Sequence, residues 1–113
     1  MKKIVIVFVS LLMAFNMSAQ KLVILHSNDT HSHIDPVRGS DNDGLGGVIE
    51  RAAYIDSVRA AEGKKNVLLV DAGDFSQGSS YFSIFDGDIE VDVINALGYD
   101  VVCLGNHEFD NGL

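Results

Sequence analysis

Tyr99-Asp100-Val101-Val102-Cys103-Leu104-Gly105-Asn106-His107-Glu108-Phe109-Asp110 sets an apolar run directly against a polar one. The β-branched residues of Tyr99–Leu104 read as a buried strand. Gly105–Asp110 reads as a loop crowded with side chains able to do chemistry. Working outward, the same order recurs twice. Asn66–Val70 is a buried strand followed by the polar loop Asp71–Ser80, and Lys21–His26 is another, followed by the turn-forming Ser27-Asn28-Asp29. Between them, Val48–Glu62 carries Ala52, Ala53, Ile55 and Val58 at helical spacing, with Gly63 as a stop. Ile89–Leu97 repeats apolar residues at Ile89, Val93, Ile94 and Leu97 and stops on Gly98. Asp35-Pro36 and Arg38–Gly47 read as an exposed loop. Continuous apolar strands separated by helices predict an α/β sheet with parallel pairing. In such sheets the loops after the strands gather along one edge, where ligands bind.

The first loop holds Asp29 and His31, two residues apart and able to share a side of extended backbone. Carboxylate and imidazole together suit a first-row divalent metal, although a plain Asx-turn with surface histidines explains the same residues. In the second loop Gly73 permits a tight turn and Asp74 brings a carboxylate whose two oxygens can bridge two metals. In the third, Asn106 offers a neutral amide oxygen. His107 and Asp110 stand three apart, on one face of a helical turn. A carboxylate beside an imidazole fixes its tautomer and favours its protonated form, which suits a general acid. The bland alternative is a helix start, with Asn106 as cap and Glu108 and Asp110 favouring the dipole.

Asp-x-His, then Gly-Asp, then Gly-Asn-His-Glu, each after a strand, resembles the calcineurin-like metallophosphoesterases. More narrowly, Leu22–Ile34 and Tyr99–Asp110 resemble the two signature blocks of the 5′-nucleotidase family, and Gly47, Arg51 and Ile89–Tyr99 fit its style. The resemblance covers Lys21–Leu113. It implies a partial metallophosphoesterase domain: three strand-loop-helix units of a β-sheet sandwich flanked by helices, truncated. It implies two divalent metal ions, zinc, manganese or similar. Asp29 and His31 would bind one, Asp74 would bridge to the second, and Asn106 would bind that second one. Asn106 and His107 would meet the substrate phosphate, and His107 with Asp110 would be the catalytic pair. Two metals about 3.5–4 Å apart would support in-line attack on the phosphate, with His107 protonating the departing ribose oxygen. The family completes both metal shells with histidines farther along the chain, and carries a nucleoside-binding domain there too. The expected partner set is therefore a nucleotide or other phosphate-ester substrate and the missing C-terminal portion of the same domain.

The two ends bear on where the protein works. Met1-Lys2-Lys3, the apolar run Ile4–Phe15 and the small-residue stretch ending at Ala19 read as a signal peptide, residues 1–19. The run is shorter than the roughly 20 residues a membrane span needs. An exported protein, periplasmic or extracellular and not on a membrane after cleavage, is expected. The net charge of −8 becomes more negative once Lys2 and Lys3 leave. That excludes a nucleic-acid polymer or anionic membrane as the main partner. The single cysteine, Cys103, excludes an internal disulfide, and its apolar setting predicts a small buried hydrophobe. The chain stops just after its densest cluster of polar residues, which reads as an interrupted domain.

A 5′-nucleotidase-like phosphoesterase is the leading reading. Alternatives are a cyclic-nucleotide or sugar-nucleotide phosphodiesterase, or a truncated non-catalytic metal-binding module. The pairing of His107 with Asp110 favours an enzyme, since a metal binder has no use for a leaving-group acid. Exported protein is expected to begin at Gln20, and intact-mass measurement of secreted material checks this. Soluble cytoplasmic protein that keeps Met1 would contradict it.

Overall fold

A computed structural model describes residues 20–39 and 41–112. The segment read as a signal peptide lies outside the described residues. Three strands form one parallel sheet in the order β1-β2-β3. β1 is Val23–Ser27, β2 is Val67–Asp71 and β3 is Val101–Val102. Helix α1, Val48–Glu62, joins the first two. Helices α2, Ser80–Phe85, and α3, Asp88–Leu97, join the second pair. No helix among the described residues is long and apolar enough to cross a membrane.

The register of β1 on β2 aligns Val23 with Val67, Leu25 with Leu69 and Ser27 with Asp71. Paired residues of a parallel sheet share a face, so Leu25 and Leu69 point together toward the helices. The core forms there. Ile55 of α1, Leu69 of β2 and Leu97 of α3 are buried together, with Leu25, Ala52, Val93 and Tyr99 packed around them. Arg59 of α1 fastens the end of α3, donating Nη1–H to Leu97 O at 2.8 Å and Nη2–H to Gly98 O at 2.7 Å.

The parallel α/β order expected from the sequence is present, with three corrections. First, the edge strands β1 and β3 are not buried on both sides, unlike β2, which has no exposed residue. The described helices cover one face, and Ile24 (57% exposed) and Val101 (56%) stand on the other. Second, the strand expected over Tyr99–Leu104 shortens to two residues. Its backbone pairs on one side alone, with Asp100 N–H on Leu69 O and Cys103 N–H on Asp71 O, both 2.8 Å. Cys103 follows Val101 onto the uncovered face and is exposed, not buried. Third, the loop expected to run through Ser80 gives way to α2 at that residue. Ser79 caps the helix by accepting from Tyr81 N–H at 3.1 Å, and Asp86 ends it in a left-handed conformation, φ 52°. Six residues are too few to show an amphipathic period.

Leu69 is 2% exposed at the centre of the core, whereas Ile24 is on the open face. Leu69→Ala is expected to cost about 2–5 kcal/mol of unfolding free energy through the cavity it leaves. Ile24→Ala should cost less than about 1 kcal/mol. Urea denaturation of both variants measures the difference.

Candidate metal and phosphate site

The three loops meet at the carboxyl edge of the sheet because backbone pairing continues past the strand ends. Ala72 N–H donates to Ser27 O (2.9 Å), Asp29 N–H to Gly73 O (2.9 Å), His31 N–H to Asp74 O (3.0 Å) and Ser32 N–H to Phe75 O (2.8 Å). This stitching bends both loops sharply. Asp29 (φ 51°), His31 (φ 42°), Ser32 (φ 54°) and Asp74 (φ 55°) all adopt left-handed backbone. Asp and His tolerate that region better than most residues, and such backbone persists only where the surrounding structure holds it. The extended backbone expected to bring Asp29 and His31 to one side is therefore not what joins them. Two successive tight bends do, leaving Asp29 Oδ1 3.9 Å from His31 Nε2.

The second and third loops approach at backbone distance. A Cβ on Gly73 (φ 102°) would stand 2.5 Å from Gly105 N, and one on Gly105 would stand 2.2 Å from Asp74 Oδ1. Both positions require glycine, one for conformation and contact, the other for contact alone. The carboxylate of Glu108 locks this junction. It accepts from Asp74 N–H (2.9 Å), Ser76 N–H (2.9 Å) and Gly105 N–H (2.6 Å). Burial raises the Glu108 pKa, but the bonds from Ser76, Gly105 and Asp74 outweigh it and hold the carboxyl below its ordinary value. The clamp is thus intact near neutrality and released as pH falls through that lowered value. Asp71 supports the same turn, accepting from Gly73 N–H at 2.8 Å and Ser27 Oγ–H at 2.6 Å.

Ligand atoms of His31, Asp74 and His107 lie within 4.8 Å of one another. The two imidazole rings meet edge to face, centroids 5.0 Å apart. His107 N–H donates to Asp74 Oδ1 at 3.0 Å, and the His107 Nδ1 atom pairs with Asp110 Oδ2 at 2.8 Å. Asn106 is exposed at the start of the short helical turn His107–Phe109 but makes no side-chain cap bond. Its amide oxygen instead faces Asp74 Oδ2 at 3.3 Å, acceptor against acceptor. Turning the amide over makes a hydrogen bond there, and another from His107 N–H at 3.3 Å. The buried Nδ1 of His31 has no hydrogen-bond partner. The orphaned nitrogen and a mixed imidazole–carboxylate–amide set suit a borderline divalent metal.

Residues 22–113 match the family described as calcineurin-like phosphoesterase. The chain belongs to that family. It is 47% identical over 98 residues to a snake venom 5′-nucleotidase of Gloydius brevicauda, an alignment covering 82% of this chain and 16% of the relative. With the Homo sapiens 5′-nucleotidase it shares 41% identity over 101 residues, 84% of this chain and 17% of that protein. The fold superposes on the NAD nucleotidase of Haemophilus influenzae with TM-score 0.70 and 35% identity, covering 80% of this chain and 17% of the other. On a 5′-nucleotidase precursor of Thermus thermophilus the TM-score is 0.69 at 40% identity, over 80% of this chain and 18% of that one. The chain thus spans under a fifth of the length of these relatives.

All six side chains singled out from the sequence gather on this edge. Asp29 is the outermost, reaching His31 but outside the tighter triad with Asp74 and His107. His107, read from the sequence as an acid, stands close enough to act as a ligand too. Sequence reasoning missed Glu108 as a clamp, because as a helix-start acid it needs no partner in another loop. It also missed Glu90, buried at 3% exposure. The visible signal for Glu90 was its place at helical spacing with Val93, Ile94 and Leu97.

The Asp110 hydrogen bond raises the His107 pKa above its ordinary value. Burial opposes this, and the charges of Asp110, Asp74 and Glu108 add to it. A histidine raised in the fold stabilises it below the unfolded value of about 6.5, and that contribution disappears as pH rises through the folded value. In the metal-free chain, the His107 ring protons are expected to titrate above about 6.5 by NMR. Asp110→Asn should bring the midpoint down.

Proposed function

We propose that this chain supplies the metal-holding and proton-donating loops of an exported, dinuclear-metal phosphoesterase that hydrolyses nucleotide phosphate esters. The observation that carries this reading is the convergence of His31, Asp74 and His107 within 4.8 Å, beside Asn106. Asp29 and His31 would hold one metal, Asp74 would bridge, and Asn106 would hold the other. Bound divalent cations supply charge to polarise the phosphate and activate water. The rest falls to the chain's own groups. Asn106 and His107 lie beside the bridging carboxylate and would meet the phosphate. Asp110 holds His107 Nδ1, so that Nε2 is free to face the substrate. The hydrogen bond to Asp110 favours the protonated form of that ring, the form that would give a proton to the leaving ribose oxygen. The leader-like residues 1–19, and relatives named as a venom protein and a precursor, support export.

Two further readings have an observation behind them. The likeness to a protein named NAD nucleotidase favours a dinucleotide substrate at the same loops. The position of His107 in the triad favours its acting as a metal ligand. A non-catalytic metal binder leaves the His107–Asp110 pair without a purpose.

One experiment tests the assignment. In a longer protein carrying this segment and the remaining metal ligands, His107→Ala should lower AMP turnover about 10²–10⁴-fold. Metal content by elemental analysis should stay near wild type; a matching fall in metal would make His107 a ligand instead. The 113-residue chain alone, with Mn²⁺ or Zn²⁺, should turn over neither AMP nor an aryl phosphate. Asp74 and Asn106 alone hold a second cation too weakly. Strong turnover by the short chain would overturn the proposal.

A further inference from the structure

Behind the His31 loop lies a cluster that the reaction itself does not use. Ser32 is 2% exposed, and its Oγ hydrogen-bonds both Ser79 Oγ and Glu90 Oε1. Glu90 lies in the first turn of α3 and is 3% exposed. An ionised carboxylate only accepts, so Ser32 donates to Glu90 and must therefore accept from Ser79. Ser79 Oγ in turn accepts from Tyr81 N–H at 3.1 Å, the capping bond of α2. The bonds run one way, from Tyr81 N–H through Ser79 and Ser32 to Glu90, and each polarises the next. This chain of bonds joins the starts of α2 and α3 to the one residue that follows His31.

Ser32 needs such an anchor. It and His31 form two successive left-handed residues without glycine, φ 54° and 42°, a conformation that persists only where its surroundings over-determine it. The backbone bond from Ser32 N–H to Phe75 O is one restraint. The relay is the other. The remaining oxygen of Glu90, Oε2, is buried without a partner. It belongs to a residue lining a cavity of about 10 Å³ shared with Arg51, Asp71 and Thr30. That cavity suits about one water molecule at most. A carboxylate buried with half its acceptors unused is costly to the fold, which argues for a role beyond stability.

We infer that Glu90 is a positioning residue for His31, acting through Ser32 and the Ser79 cap to hold the bend that presents the imidazole to a metal. The metal arm of this inference rests on the proposed function; the positioning arm does not. Positioning partners of metal ligands are worth about 10–100-fold in affinity.

The test compares wild type, Glu90→Ala, Glu90→Gln and Asp74→Ala, all as the full chain. Amide hydrogen exchange on metal-free protein is the first readout. Glu90→Ala should speed exchange at Ser32 by about tenfold, the worth of one or two hydrogen bonds, and leave Leu69 unchanged. Glu90→Gln, which can still accept from Ser32, should restore protection. Mn²⁺ titration is the second readout: Glu90→Ala should weaken binding about tenfold and Glu90→Gln should recover it. Equal acceleration at Leu69 and Ser32 makes Glu90 a general stabiliser and overturns the inference. So does unchanged exchange at Ser32, or failure of Gln to rescue. If Asp74→Ala binds Mn²⁺ as wild type does, the metal reading fails, while the exchange comparison still decides positioning.

Discussion

Backbone hydrogen bonds that continue the β1–β2 ladder into the loops are the constraint on which this site depends. From Ser27–Ala72 to Ser32–Phe75, the first loop is stitched to the second residue by residue. A loop held by its own backbone cannot relax its bends. That is how Asp29, His31, Ser32 and Asp74 remain in left-handed conformations that cost on the order of 1–3 kcal/mol each where nothing compensates. Each backbone bond contributes about 1 kcal/mol, and side-chain anchors on either side add more. The strain and the stitching belong together: without the bends, Asp29 and His31 would project along a strand and not toward Asp74.

Charge completes the arrangement. Four carboxylates, Asp29, Asp74, Glu108 and Asp110, crowd around two imidazoles. They are not equivalent. Glu108 directs its charge at three backbone N–H groups. Asp110 directs its own at one ring nitrogen of His107. Asp74 and Asp29 retain oxygens free to meet a cation, and so does the amide of Asn106. The division follows from geometry. The acids in contact with peptide N–H groups or an imidazole have their field used locally.

The open face of the sheet is the counterpart of the covered one. Only the side of Leu25 and Leu69 receives helices among the described residues, and Ile24, Val101 and Cys103 stand exposed behind them. An apolar strand is a statement about where burial is wanted, not about what is present to supply it. The sequence therefore announced three strands correctly, and the burial of the two edge strands incorrectly. The same limit explains α2, whose six residues depend on the Ser79 cap more than on any periodic pattern.

By itself the sequence determined the order of the three strands and of the helices α1 and α3, the bounds of the long helix Val48–Glu62 and the six side chains that gather at the carboxyl edge. Those are properties of local pattern and of loops following strands, and local pattern is what a linear chain displays. Tertiary structure alone decided how the residues meet. It bent Asp29 and His31 into left-handed turns, made glycine obligatory at Gly105 by bringing Asp74 Oδ1 to 2.2 Å from where a Cβ would be, and turned Glu108 from a helix-start acid into a clamp between loops. It also buried Glu90 beneath Ser32, 58 residues away in the chain. Contacts at such separations carry no periodicity and no spacing, because they are set by which loops the sheet register brings side by side.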